Sequence, residues 1–69
     1  MSIRDYWREI EAALGYHCEA IINPVGQGWH VYIKKQQGPS GVIIGQGQAP
    51  MLPAAVLEAL KAAHKRVVG

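Results

Sequence analysis

Phenylalanine is absent from this chain of 69 residues, cysteine occurs once, and no long apolar run interrupts it. Each scarcity excludes something. A lone Cys18 cannot close an internal disulfide, and one thiol with scattered histidines lacks the paired spacing of a structural zinc site, so no metal and no cofactor is expected. No stretch is long enough to span a bilayer, and the first residues alternate charge with apolar groups where a signal peptide needs a continuous apolar run. The expected setting is the cytoplasm, with no membrane partner. Charge is sparse as well: seven Lys+Arg against five Asp+Glu give a net charge of +2, a weak bias beside the basic stripe of a dedicated nucleic-acid binder. Without phenylalanine, Trp7 and Trp29 are expected to supply much of the large apolar area of the core. No repeat, low-complexity tract or dividing linker is present, so residues 1–69 read as one domain. A domain of this size is usually marginal unless stapled, liganded or oligomeric, and the expected substitute for a staple is a partner chain, a second copy included.

What is present gives a clear order of elements. Ser2 with Asp5 three residues on resembles a capping box, and Ile3, Trp7, Ile10 and Leu14 recur at helical spacing until Gly15 supplies a left-handed stop. A helix over residues 3–14 follows, its charged face carrying Asp5–Arg8 and Arg8–Glu11 at i,i+3 spacing. Residues 16–22 are β-compatible, and residues 23–28 are dense in turn formers, which predicts a hairpin into a second strand over 29–35. Residues 36–41 break that strand, and Val42, Ile43 and Ile44 begin a third that is expected to end near Gly45 or Gln46, with a loop through Pro50. Pro53 opens a last helix to about Arg66, with Val56, Leu60, Ala63 and Val67 as its buried stripe. The fold expected is α+β, in the order α-β-β-β-α, with two helices packed on one face of a three-stranded antiparallel sheet.

One stretch carries chemical potential. In the second strand Trp29, Val31 and Ile33 alternate with His30, Tyr32 and Lys34, so the first trio can enter a core while an imidazole, a phenol and an ammonium share the opposite face. An imidazole titrating near neutrality can act as general base or acid on a ribose hydroxyl, an aromatic ring can stack on a base, and a cation can meet developing phosphorane charge. The antiparallel return of the last helix is expected to bring Lys34 and Lys35 to the same pole as Lys65 and Arg66, a substrate-binding cluster for phosphates. The competing account of these cations is that they complement a helix dipole and keep a sheet edge soluble. Cys18 reads as a small buried hydrophobe facing away from its neighbour His17, and His64 as surface decoration in a basic last turn. The glycines between 41 and 47 lack the Gly-Lys-Ser/Thr that would make a phosphate loop.

The landmarks Leu14-Gly15-Tyr16, Gly28-Trp29-His30, Val42-Ile43-Ile44 and Leu52-Pro53 leading into Val56-Leu57-Glu58-Ala59-Leu60-Lys61 resemble, in order and spacing, the HicA-type toxins over about residues 3–64. These are small bacterial mRNA interferases with a fold like the double-stranded-RNA-binding domain. The resemblance implies RNA as a partner, an antitoxin as a protein partner, and a metal-independent endoribonuclease in which His30 is the catalytic histidine. The chain departs from the family at Trp29, which replaces a small hydroxyl residue, at Val31, which stands for a second polar residue, and at Gln46 and Gln48, where Pro and His are usual. It also lacks the lysine cluster with which the classical double-stranded-RNA-binding domain grips phosphates, since its last helix opens with Pro53-Ala54-Ala55.

A second account needs no catalysis. Ile21, Ile22, Ile43 and Ile44 put branched apolar residues on both faces of the sheet, whereas a solvated face should alternate with polar residues. A non-catalytic protein-binding module, a small regulator or anti-defence inhibitor acting through its open sheet face and edge strand, or a homodimer, would have this pattern.

Overall fold

The computed structural model describes residues 1–36 and 41–69. Helix α1 spans Ile3–Leu14, as its caps dictate. The Ser2 hydroxyl accepts the Asp5 N–H at 3.2 Å, and the Asp5 carboxylate accepts the Ser2 N–H at 3.0 Å, so two orphan donors of the first turn are satisfied reciprocally. Those bonds to Ser2 hold the Asp5 carboxyl below the ordinary carboxylate range. Gly15, at φ 74°, ends the helix in the left-handed region.

Strands β1 (Cys18–Val25), β2 (Gly28–Lys35) and β3 (Val42–Ala49) form one antiparallel sheet in that order. The β1–β2 turn is tighter than the composition of residues 23–28 suggests. Asn23 and Pro24 belong to the strand, and only Gly26-Gln27 turn, with Gly26 at φ 58° as the first central residue of a II′-like turn requires. An edge strand tolerates Pro24 because its missing donor faces no central neighbour. Residues 37–40, most of the break expected between β2 and β3, lie outside the described residues.

The larger correction concerns β3 and α2 (Leu52–Val67). Strand β3 continues through Gly45, Gln46, Gly47 and Gln48, which the glycines had suggested were a loop. Gly45 and Gly47 face the helices, where a Cβ at Gly45 would lie 2.6 Å from the Ala59 carbonyl oxygen, and one at Gly47 the same 2.6 Å from that of Ala55. Absent side chains on the strand thus receive an alanine stripe on the helix, and the two backbones approach closely. The buried face of α2 is Ala55, Ala59, Leu60 and Ala63, while Val56 and Val67 flank it only partly buried.

The core consists of Ile10 from α1, Val31 and Ile33 from β2, Ile44 from β3 and these four residues of α2. Ile44 reaches it through a bulge. The register shifts between Ile33 and Lys34, so Ile44 is an extra residue on β3, while Ile43 stays on the far side at 47% exposure. Trp7 and Trp29 pack against this core without being enclosed by it, so its buried volume is aliphatic. Both helices lie on one face of the sheet, in a slab with extents of 35 × 30 × 16 Å. The helix layer does not cover β1. Ala20 and Ile22 pair with the core residues Ile33 and Val31 and share their face, yet both are exposed.

Candidate functional site

The open face of the sheet carries the candidate site. Alternation along β2 puts His30, Tyr32 and Lys34 there, and the register sets Asn23 and Gln48 beside His30, Ile21 and Gln46 beside Tyr32, and Glu19 and Ile43 beside Lys34. His30 and Tyr32, two residues apart, stack with ring centroids at 4.4 Å and planes inclined by 27°. Gln46 reaches diagonally from β3, its Oε1 lying 3.1 Å from His30 Nε2. An amide oxygen only accepts, so Nε2 carries a proton; in the neutral imidazole Nδ1 then holds the lone pair, and it lies 3.4 Å from the Tyr32 hydroxyl. These two contacts orient the imidazole, and the one at Nδ1 is long.

Such an arrangement has two chemical capacities. A substrate hydroxyl that displaces the Tyr32 hydroxyl would meet the Nδ1 lone pair directly, as a general base requires. The stacked rings also offer a planar surface for a base.

The cations do not converge on this pair as a single cluster. Lys34 shares the open face, but its ammonium lies 3.9 Å from the Glu19 carboxylate. Lys35 points to the opposite face, with its ammonium 4.8 Å from the centre of the Tyr16 ring. Lys65 and Arg66 are exposed in the last turn of α2. Because Ala63 packs on Gly45, that turn lies at the end of the sheet where Lys34 and Lys35 sit. All four therefore share a pole, divided between the two sides of the sheet.

Two residues that had no evident part gain one. Glu11 bridges α1 to β1: its carboxylate accepts the Cys18 N–H at 2.6 Å, and His17 Nδ1 lies 3.6 Å from the same oxygen. Cys18 is half-buried, and burial, with Glu11 close by, pushes its thiol up from the ordinary cysteine value. His64 is more than decoration. Its Nε2 lies 3.1 Å from the Glu9 carboxylate and its ring packs edge-on against Tyr6 at 5.1 Å, joining α2 to α1. Among the described residues, no group of three or more His, Cys, Asp or Glu could hold a metal ion, and no helix is long and apolar enough to cross a membrane.

No model of a known protein family, no curated protein and no solved structure matches the chain.

Proposed function

We propose that this chain binds RNA on its open sheet face and cleaves it as a metal-independent endoribonuclease, with His30 as general base. The observation that carries the reading is the His30 imidazole, stacked on Tyr32 and oriented by Gln46, on a face that neither helix covers. In the reaction, His30 Nδ1 takes the proton of a ribose 2′-hydroxyl and the 2′-oxygen attacks the adjacent phosphorus. The bond to the 5′-oxygen breaks, and that oxygen takes a proton from the Tyr32 hydroxyl. Lys34 lies on the same face about 13 Å along the strand from His30, and with Lys35, Lys65 and Arg66 it holds flanking phosphates at the shared pole. The order of sequence landmarks, which resembles the HicA-type toxins, supports mRNA as substrate and the cytoplasm as the setting.

The test is to induce the chain in a bacterial culture beside His30→Ala at the same soluble level and to follow growth and total RNA. Growth arrest with mRNA decay that His30→Ala abolishes is the expected result. Intact RNA and normal growth in both cultures would overturn the reading.

A second reading, a protein-binding module, is favoured by one observation: β1 is open on both faces, with Ile22 44% exposed on the helix side and Val25 43% on the other. A second copy, an antitoxin or a target protein would cover it. If a second copy does so, sedimentation will show a dimer that Ile22→Asp dissociates, and a monomer at every concentration excludes the homodimer.

A further inference from the structure

Next to the His30–Tyr32 stack, at the end of the sheet away from the lysines, lies a cleft of about 400 Å³ lined by Val25, Gln27, Gly28, Gln48, Ala49 and Pro50. It is contiguous with the candidate site through two of these residues. Gln48 is the cross-strand partner of His30, and Gly28 precedes His30 by two residues on the same strand face. The backbone of β3 closes in at this point, where a Cβ on Gly28 would lie 2.8 Å from the Ala49 carbonyl oxygen and 3.2 Å from Pro50 Cα. Position 28 therefore carries no side chain: the β3 backbone fills the place its Cβ would take, and the row of rings Tyr32, His30 ends there, at the wall of the cleft.

The lining specifies the chemistry of an occupant. No charged side chain contributes to it; Val25 and Pro50 supply apolar walls, and Gln27 and Gln48 each offer an amide donor and an acceptor. A flat, uncharged heterocycle with both donors and acceptors on its edge matches this combination, and the volume lies within the range of small-molecule sites. We propose that this cleft is a nucleobase subsite, which holds the base of the nucleotide whose 2′-hydroxyl faces His30. The proposal rests on the RNA reading above and extends it: the cleft makes cleavage depend on the identity of the base on the 5′ side of the broken bond. Gln48, on the strand beside His30, is the residue that reads the base edge, and Gln27 closes the cleft from the turn.

The experiment titrates the full chain with the four nucleoside 3′-monophosphates, and separately with inorganic phosphate, while amide resonances are followed by NMR. RNA cleavage is assayed on the same preparation. The expected result is saturable shifts at the Gly28 and Ala49 amides and the Gln48 side-chain amide, stronger for one base than for the others. Gln48→Ala, a change at an exposed position, should then weaken that nucleotide about tenfold, as loss of one bidentate amide–base contact does, and flatten the base preference of cleavage. Cleavage without shifts at these resonances would overturn the subsite and leave the RNA reading standing. Equal shifts from phosphate alone would overturn it by showing an anion site. Neither shifts nor cleavage would overturn both.

Discussion

At the scale of residues, the hydroxyl of Tyr32 separates stacking from chemistry. Tyr32→Phe keeps the ring that packs at 4.4 Å on His30 but removes the hydroxyl that the proposed mechanism uses to protonate the leaving oxygen. RNA cleavage by Tyr32→Phe is expected to lose about 10²- to 10⁴-fold in kcat with KM little changed, the scale of one general-acid contribution. Full kcat in this variant would remove Tyr32 from the proton path. Cys18 allows a check of a different kind. Its raised pKa leaves less thiolate at a given pH than an ordinary cysteine has, so alkylation by iodoacetamide at mildly alkaline pH should be slower than that of a free cysteine. Glu11→Gln retains an acceptor for the Cys18 N–H while removing the negative charge, and should speed the reaction. Unchanged rates would show that the carboxylate does not act on the thiol. The His30–Tyr32 pair was legible from sequence because period-two alternation assigns residues to faces with no knowledge of the partner strand. Gln46 was not, because its approach to His30 depends on the β2–β3 register, which the turn sequence does not encode readably. The Glu11–Cys18 and Glu9–His64 contacts escaped for the same reason: in a helix, a charged residue looks solvated until its tertiary neighbour is known.

At the scale of elements, α1 was readable to the residue, since its capping box and Gly15 are local signals that no tertiary contact overrides. Strand β3 failed because Gly45 and Gly47 carry opposite meanings in isolation and in context. Alone they mark a chain reversal; against Ala55, Ala59 and Ala63 they mark a strand and a helix packed backbone to backbone. The alanines were visible 8 residues or more downstream, but nothing local couples them to the glycines. The energetic consequence is specific. A methyl at position 47 meets backbone atoms of α2 rather than a flexible side-chain end, so the helix itself must shift. Gly47→Ala is expected to destabilise the fold by about 1–3 kcal/mol, read as a lower urea midpoint at unchanged m-value, whereas Gln46→Ala on the exposed face should stay within about 0.5 kcal/mol. Equal midpoints for the two variants would mean that α2 does not rest on β3 as described.

At the scale of the whole molecule, the close seat of α2 on β3 has a cost at the other edge. The helix layer rests over β2 and β3, and β1 is left with Ala20, Ile22 and Pro24 open on the side where helices would ordinarily cover them. The opposite face of the sheet is also uncovered, and there the polar residues Asn23, His30, Tyr32, Gln46 and Gln48 gather, with Lys34 and Glu19 toward one end. The two exposed regions thus differ in character: the helix side of β1 is apolar, while the open face combines the His30–Tyr32 rings and three amide side chains with Ile21, Val25 and Ile43.

The measurement that tests the central claim most directly is incubation of the purified chain with a single-stranded mRNA and with the same sequence bearing 2′-deoxy substitutions, His30→Ala being run in parallel. The account predicts fragments ending in 2′,3′-cyclic phosphate from the ribose substrate alone, and none from His30→Ala. Uncut RNA, or equal cleavage by the wild-type chain and His30→Ala, would contradict it.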